Sequence, residues 1–360
     1  MHQPDHIPTT SHIRPHFGND YHRTAHPRVL EELVATTKET FTGYGLDHRC
    51  EQTADLIRHL CHAPQAGVHF MTGGTQVNTT AIAATLRPWQ AVISADSGHI
   101  NVHETGSVEH AGHKILTLAH TLGKITATQI SDLVTDYRTS GVSEHASEPK
   151  MVYLSQPTEY DTLYSLAELK EIREVCDIFD LFLLIDGARL GYALGSPAND
   201  ISLAELAQLA DMFTIGGTKC GAAFDEAIVF PKPGTDTYFR NNMKQNSGLL
   251  GKGWLLGAQF QALMSDNLYV EINAHANKQA QRIAQAFHDA GISLLFPSPT
   301  NQQFALLTEQ QEQQLSAEFI CQFFGTHGNF RVTRFCTSWA TEDADIEKLI
   351  AAIKRLAPAN

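Results

Sequence analysis

The sequence has no apolar run that approaches the roughly 20 residues a membrane-crossing helix needs. Its six cysteines form no CxxC pair and no framework spacing, so we expect reduced thiols and a cytoplasmic location. The first residues, MHQPDHIPTTSHIRPH, are polar and lack the apolar core of a signal peptide, and we expect a loose N-terminal arm. Basic residues are fewer than acidic ones, which gives a formal net charge of -13. That balance disfavours nucleic acid and anionic membranes as partners.

Short apolar runs alternating with helical stretches dominate the chain from about residue 66 onward. Such runs, many of them β-branched and lacking polar alternation, are typical of strands buried on both faces of a sheet. Between them lie amphipathic segments such as SLAELKEIREVCDIFD at 165–180. The pattern predicts an α/β fold with a mostly parallel seven-stranded sheet and helices on both sides. The predicted strands are 67–71, 91–95, 114–118, 151–155, 181–186, 212–216 and 226–230.

The last third of the sequence changes character. Residues 236–290 predict long helices, followed by probable strands in ISLLF (292–296), QQFALLT (302–308) and FRVTRFC (330–336) and a closing helix at 343–356. We therefore predict three parts: an N-terminal arm and helix at 1–45, a large cofactor-binding domain at 46–250, and a linker helix with a small α+β domain at 251–360.

Two residues at predicted strand ends carry the first chemical signal. Asp186 ends the strand LFLLID, and Lys219 follows the strand MFTIG within GGTKCG. Taken singly, the aspartate could cap a helix or pair with Arg189, and the lysine could be a solvated loop residue. Together they match what pyridoxal phosphate (PLP) requires: an amine that forms a Schiff base and a carboxylate that keeps the pyridine nitrogen protonated.

Two further segments fall at the same predicted sheet edge. The turn of Gly73, Gly74 and Thr75 opens a helix, where backbone N–H groups bind phosphate, although such turns are common. His99 follows the strand AVISA and could lie over the cofactor ring, or could be an ordinary core or surface histidine. Three more histidines, at positions 103, 110 and 113, match neither HExxH nor a zinc spacing, so we predict no metal site.

Seven segments bring the sequence close to a known family: GYGLDH, TGGTQVN, GHINVHETG, IDGARL, IGGTKCG, LGKGWLLG and RFCTSWATE. The sequence resembles the threonine aldolase/β-eliminating lyase family of fold-type I PLP enzymes, and within it the low-specificity L-threonine aldolases. The resemblance implies an aspartate-aminotransferase-like fold with PLP as cofactor. It implies that Lys219 forms the Schiff base, Asp186 contacts the pyridine nitrogen, His99 stacks on the ring, and Gly74 and Thr75 hold the phosphate.

The same resemblance implies residues that contact the substrate. Arg189 would contact the ring oxygen or the substrate carboxylate, and Arg334 would hold the α-carboxylate with its planar fork. Asn19 stands where the commoner family pattern has a carboxylate-binding serine. His145 is in register with a second family histidine near the β-hydroxyl, and Glu104 also keeps register.

Two other positions point to an oligomer. Tyr44 and Lys252 match positions that the family supplies to a neighbouring subunit's active site, and Lys252 replaces a family arginine. We therefore expect a homodimer or homotetramer with active sites shared between subunits.

The resemblance predicts retro-aldol cleavage of threonine or allo-threonine to glycine and an aldehyde, with His99 or His145 as the base. Two alternatives stay open: a PLP-dependent β-eliminating lyase acting on another amino acid, and a protein with this fold that binds without turnover. The sequence does not choose between threonine and allo-threonine.

Overall fold

The structure of the chain, a computed structural model, describes residues 14–356. Residues 1–13 of the predicted N-terminal arm and residues 357–360 lie outside the described residues. The ten strands of the described part are β1 (Gly67–Met71), β2 (Gln90–Ala95), β3 (Lys114–Leu118), β4 (Glu148–Ser155), β5 (Phe182–Asp186), β6 (Met212–Gly216), β7 (Glu226–Phe230), β8 (Gln302–Leu307), β9 (Gln322–His327) and β10 (Phe330–Cys336).

The α-helices alternate with these strands through the first two thirds of the chain and dominate after β7. They are α1 (Pro27–Ala35), α2 (His48–Leu60), α3 (Gly74–Thr85), α4 (His99–Val102), α5 (Ser107–His110), α6 (Ala127–Thr139), α7 (Leu166–Phe179), α8 (Leu190–Leu194), α9 (Leu203–Leu209), α10 (Phe239–Gln245), α11 (Trp254–Met264), α12 (Leu268–Asp289), α13 (Glu309–Glu318) and α14 (Asp343–Lys354). Short 3₁₀ helices occur at Thr36–Lys38, Ser143–His145 and Ser265–Asn267.

The large sheet has seven strands in the order β1-β7-β6-β5-β4-β2-β3, which confirms the predicted architecture. All neighbouring pairs are parallel except the two that β7 makes with β1 and β6. The carboxyl ends of the parallel strands therefore meet at one edge, and β7 alone begins there. This edge is where open α/β sheets bind ligands.

Alternation of side chains builds a core on each face of the large sheet. Val92 packs in one buried cluster and its neighbour Ile93 in another, and Leu184 and Leu183 divide in the same way. Consecutive strand residues point to opposite faces, so strands covered on both sides need apolar residues at every position. That requirement explains why the strands were visible in the sequence as short continuous apolar runs.

Local capping determines where several helices begin. Ser165 with Glu168 before α7, and Ser202 with Glu205 before α9, form reciprocal capping boxes. Each box satisfies two backbone N–H groups that the first helical turn would leave free.

The second sheet contains three antiparallel strands in the order β8-β10-β9. The predicted strand at 292–296 was wrong: only an isolated bridge joins Leu294 to Ala305, and Pro297 follows immediately. β9 was missed because its residues lie at an exposed edge and lack an apolar alternation.

The N-terminal arm contacts this second sheet. Phe17 N–H donates to the carbonyl of Ile320 at 2.6 Å, and Cys336 N–H donates to the carbonyl of Phe17 at 2.7 Å. The Phe17 side chain is buried among residues of α12, α14 and the small sheet. Helix α1, which follows the arm in sequence, packs together with α2 against α11. The domain boundaries after residues 45 and 250 remain predictions.

None of the helices in the described part of the chain is long and apolar enough to cross a membrane.

Candidate active site

A cleft of about 320 Å³ opens at the carboxyl edge of the large sheet. Its size suits a small ligand. The loops after β1, β2, β4, β5 and β6 form its walls. Seven residues predicted from the sequence line it together: Gly73, Gly74, Thr75, His99, Asp186, Arg189 and Lys219.

Asp186 ends β5 with its carboxylate buried at the cleft floor. Its Oδ2 accepts hydrogen bonds from Tyr153 OH at 2.6 Å and Asn78 Nδ2 at 2.8 Å, and its Oδ1 accepts from Ala188 N–H at 2.8 Å. Burial opposes ionisation, but these donors outweigh it, and the pKa of Asp186 lies below its ordinary value. The group is therefore a carboxylate ready to face a cation.

Lys219 lies in the turn after β6 with its amine buried. Burial and the positive charge of Arg189 lower the pKa of the Lys219 amine, against the pull of nearby carboxylates. Tyr192 OH donates to the Lys219 carbonyl at 2.6 Å and holds the backbone of the turn. An amine of lowered pKa is a better nucleophile at neutral pH.

Two glycines precede Lys219 in the turn after β6. A Cβ on Gly216 would lie 2.3 Å from the carbonyl oxygen of Ala188, and one on Gly217 would lie 2.7 Å from that of Asp225. They are needed because the lysine turn packs against the chain's own backbone.

The predicted phosphate turn opens helix α3. Gly73 is the N-cap residue, and no side chain caps the helix. A Cβ on either Gly73 or Gly74 would meet nothing within 4 Å, so space remains in front of the helix N-terminus. Uncapped N–H groups facing an open space suit an anion.

His99 begins α4, and the carboxyls of Glu104 and Glu159 hold it. Its Nδ1 lies 2.8 Å from Glu104 Oε1, and its backbone N–H donates to Glu159 Oε1 at 2.9 Å. Glu104 Oε1 also accepts a hydrogen bond from Asn78 Nδ2 at 3.0 Å. Because the same nitrogen donates to Asp186, a chain of hydrogen bonds joins His99 to Asp186. A carboxylate at Nδ1 favours the tautomer in which Nε2 can accept a proton.

Arg189 forms a buried ion pair that the sequence analysis missed. Its Nε and Nη2 donate to the two carboxylate oxygens of Asp20 at 2.7 and 3.1 Å. The predicted neighbour, Asn19, instead accepts from the Tyr21 backbone at 3.1 Å and does not line the cleft. The only available signal was the position of Asp20 beside Asn19 in the segment FGNDY.

Arg334 lies in β10, outside the residues that line the cleft. Its Nη1 donates to Gln302 Oε1 at 2.7 Å, and its Nη2 contacts Gln322 Oε1 and the Gly18 carbonyl. Its Nε is buried without a hydrogen-bond partner in the described part of the chain. Burial lowers the pKa of His103, and His99, Arg334, Lys219 and Arg189 add to the shift. The Arg334 guanidinium therefore lies near the site.

His145 lies away from the cleft of its own chain. It is exposed in the 3₁₀ turn that precedes β4, whereas the cleft lies beyond Ser155 at the opposite end of that strand. A strand of this length holds its two ends roughly 25 Å apart, so His145 cannot reach this chain's own site. The segment HASEPK forms the entry to β4, and the match of His145 to a family histidine stays a prediction.

Tyr44 and Lys252 lie outside this chain's cleft and close to one another. Tyr44 N–H donates to the Gly251 carbonyl at 3.1 Å, and a Cβ on Gly253 would lie 2.5 Å from Gly45 N. Both predicted residues are exposed. The two loops thus form one surface that is separate from the cleft.

Two carboxyls in the cleft were not predicted. Glu159 accepts from Ser155 Oγ at 2.7 Å as well as from His99, and burial raises its pKa. Glu226 begins β7. Glu159 follows the predicted strand 151–155, so its signal was the same strand-end position that marked Lys219. Glu226 had no such signal, because only the sheet topology brings the start of the antiparallel strand to the ligand edge. In residues 14–356 no group of three His, Cys, Asp or Glu side chains is arranged to hold a metal ion.

Comparisons with known proteins agree with this geometry. A family model described as a β-eliminating lyase matches residues 26–310. A low-specificity L-threonine aldolase of Pseudomonas aeruginosa is 30% identical over 340 residues, covering 92% of this chain and 94% of that protein. A second, from a Pseudomonas species, is 31% identical over 345 residues, covering 94% and 96%.

Solved structures extend the match. The threonine aldolase of Leishmania major is 40% identical with a TM-score of 0.90, covering 95% of this chain and 99% of that one. Aspartate aminotransferase from Thermus thermophilus, 14% identical with a TM-score of 0.67 and covering 94% and 90%, shares the fold alone. The cleft, the fold of type I PLP enzymes and these similarities together show that the chain belongs to the threonine aldolase/β-eliminating lyase family.

Proposed function

We propose that the protein cleaves L-threonine and L-allo-threonine, and related β-hydroxy-α-amino acids, to glycine and an aldehyde, with PLP as cofactor. One observation carries the proposal: the buried Lys219 amine, the ionised Asp186 carboxylate and the open turn before α3 share a single cleft. The threonine aldolases to which the chain is similar support the choice of reaction.

The residues present fit PLP. Space in front of Gly73 and Gly74, where a Cβ would meet nothing within 4 Å, accommodates the phosphate against the helix N-terminus. Asp186 stays ionised at the cleft floor and supplies the negative charge that a protonated pyridine nitrogen needs. Lys219 supplies the amine. When bound, PLP acts as the electron sink for the pair of electrons released when the Cα–Cβ bond breaks.

Two arginines suit the substrate carboxylate. Asp20 occupies Nε and Nη2 of Arg189 and fixes its plane, which leaves Nη1 for a ligand. Arg334 is anchored through both Nη atoms by Gln302, Gln322 and the Gly18 carbonyl. Its Nε, which is buried and unpartnered in the described part of the chain, can donate a hydrogen bond to the substrate carboxylate.

We assign His99 as the base that accepts the β-hydroxyl proton. Glu104 holds the ring through Nδ1 at 2.8 Å, so Nε2 is the nitrogen that takes up the proton. His145 is excluded from this role in the chain's own cleft by its position at the far end of β4.

The decisive experiment supplies L-threonine to the PLP-loaded enzyme and measures acetaldehyde and glycine, with Lys219→Ala as the control variant. We expect equal amounts of the two products from the parent enzyme and none from the variant, which should also lose the visible absorption of the bound cofactor. Pyruvate and ammonia as products would instead identify a β-eliminating lyase. No turnover of threonine, allo-threonine or phenylserine would contradict the aldolase assignment.

The enzyme is further proposed to act as a homodimer or homotetramer in which Tyr44 and Lys252 complete a neighbouring subunit's site. Both are exposed and lie on one surface away from their own cleft. On the outer side of the phosphate turn a groove lined by Thr72, Thr79 and Asn246 remains open.

A cytoplasmic location is consistent with six free cysteines, and the net charge of -13 gives no reason to expect nucleic acid as a partner.

A further inference from the structure

Glu226 is a buried carboxyl in the cleft, and it has no role in the proposed reaction as described so far. It begins β7, where its Cα pairs with Gly216 of β6 on one side and Met71 of β1 on the other. The residue is 3% exposed, and its Oε2 has no hydrogen-bond partner in the described part of the chain. It lines the same cleft as Lys219, which follows β6 by three residues. Such a group costs free energy unless it is neutral or paired with a cation.

Lys219 and Glu226 are both disfavoured in their charged forms. Burial and Arg189 lower the pKa of Lys219, while Asp20, Asp186 and Glu226 oppose that shift. Burial raises the pKa of Glu226 to about 8, with Lys219 and hydrogen bonds from Thr218 opposing the rise and Asp186 adding to it. The neighbouring Asp225 carboxyl is also buried beside Glu226. Each group therefore favours the charged form of the other, although burial disfavours both charges.

The other carboxylates near Lys219 cannot exchange their charge with it. Asp186 accepts three hydrogen bonds and remains ionised, with a lowered pKa. Asp20 is held by both nitrogens of the Arg189 fork, which brings its pKa to about 2 despite complete burial. Glu226 alone among these three carboxyls has no cation or donor on one of its oxygens. It is the group that can gain or lose a proton as the lysine does.

We propose that Glu226 is a positioning residue: its carboxyl lies in the Lys219 cleft with Oε2 buried and unpartnered in the described part of the chain, and its ionisation sets how much of the Lys219 amine is uncharged. Coupling of this kind needs no direct contact, because Coulomb interactions act strongly across a poorly solvated interior. The inference rests on the proposed function, since the lysine must be uncharged to bond to the cofactor aldehyde. Each change moves one proton onto or off one atom, Glu226 Oε2 or Lys219 Nζ, and no electrons are transferred.

The test follows the protonation of Lys219 in the full-length protein after removal of PLP. Reductive methylation with formaldehyde and cyanoborohydride attacks only uncharged amines, and peptide mass spectrometry reports its extent at Lys219 relative to the exposed Lys278. The profile is measured from pH 6 to pH 10 for the parent chain, Glu226→Gln, Glu226→Asp and Asp225→Asn. A second readout is the pH dependence of the visible absorption band after PLP is restored.

Asp225→Asn is the matched control. The Asp225 side chain is fully buried, and neither of its oxygens has a partner in the described part of the chain. Burial raises the pKa of Asp225 and the Glu226 charge adds to that rise, whereas Lys219 does not act on it, so this variant removes a buried carboxyl that acts on Glu226 but not on the amine. Glu226→Gln removes the charge that retains a proton on Lys219. Its methylation midpoint should fall by about one pH unit and become a single step, whereas Glu226→Asp and Asp225→Asn should keep the two-step profile of the parent.

An unchanged midpoint in a folded Glu226→Gln protein would overturn the proposal, as would an equal shift in Asp225→Asn. If Glu226→Gln does not fold, a parent-like two-step profile in Glu226→Asp supports coupled titration of the two groups, and a single step in both that variant and the parent overturns it. Because methylation is measured without cofactor or substrate, failure here is distinguishable from failure of the aldolase assignment, which is scored by acetaldehyde release.

Discussion

At the scale of single residues, the ion pair between Asp20 and Arg189 ties the N-terminal arm to the cleft. The Asp20 side chain is fully buried and that of Arg189 mostly so, and the Asp20 carboxylate accepts hydrogen bonds from the Arg189 fork and from Asn301 at 3.1 Å. Burial opposes ionisation of Asp20, but the Arg189 charge outweighs it and lowers the pKa of Asp20 to about 2. A lowered pKa means that this pair stabilises the fold above pH 4 and that its contribution is lost as the pH falls towards 2.

We expect Asp20→Asn to lower the free energy of unfolding by roughly 3–5 kcal/mol, since it leaves a buried guanidinium without its counter-charge. Urea unfolding at pH 7 measures the loss. Asp266→Asn, which removes the exposed partner of Arg28, is the control and should cost less than about 1 kcal/mol. Equal small losses of unfolding free energy in both variants would show that the Asp20–Arg189 pair stabilises the fold no more than an exposed pair does.

At the scale of elements, the N-terminus of α3 combines an uncapped helix with an empty space. Gly74→Ala places a methyl group where the structure has no neighbour within 4 Å. In the absence of PLP the unfolding free energy should stay the same or rise by up to about 1 kcal/mol, because alanine favours helix more than glycine does.

The same methyl group would occupy the space proposed for the phosphate. We therefore expect the Kd for PLP to rise about tenfold, or about 1.4 kcal/mol, as followed by absorbance titration of the stripped protein. Gly325→Ala in β9, where a Cβ also meets nothing, should leave the Kd unchanged. A Gly74→Ala protein with parent-like PLP affinity would place the phosphate elsewhere.

At the scale of the whole molecule, the separation of Tyr44 and Lys252 from their own cleft predicts complementation between subunits. Lys219→Ala and Lys252→Ala proteins should each be weakly active or inactive. When they are unfolded together and refolded as a mixture, half of random dimers are mixed, and one of the two sites in each mixed dimer is intact. The mixture should recover roughly a quarter of parent activity, measured as acetaldehyde release.

Separate refolding of each variant is the control for this experiment. If the mixture shows no recovery beyond the sum of the separate proteins, Lys252 does not act across an interface between subunits.

Much of the fold could be predicted because the strands of the large sheet are short apolar runs, and β2, β6 and β7 are buried at every position. β1, β3, β6 and β7 have the same bounds as the apolar runs in the sequence. Periodicity could not find β9, an exposed edge strand that is defined by its pairing with β10. It also misjudged residues 292–296, whose apolar side chains pack against the core without joining a ladder beyond one bridge.

The sequence by itself determined the features that short segments encode: the buried strands, the glycine turn before α3, and the positions of Asp186 and Lys219 at the ends of apolar runs. These signals are local, because burial on both faces and a strand-end position leave a mark on neighbouring residues. Only the tertiary structure decided which residues meet. It brought Asp20 to Arg189, moved His145 to the opposite sheet edge, and placed Glu226 beside the lysine by running β7 against its neighbours. Contacts between residues distant in sequence depend on strand order and direction, and neither is written in the periodicity of a single segment.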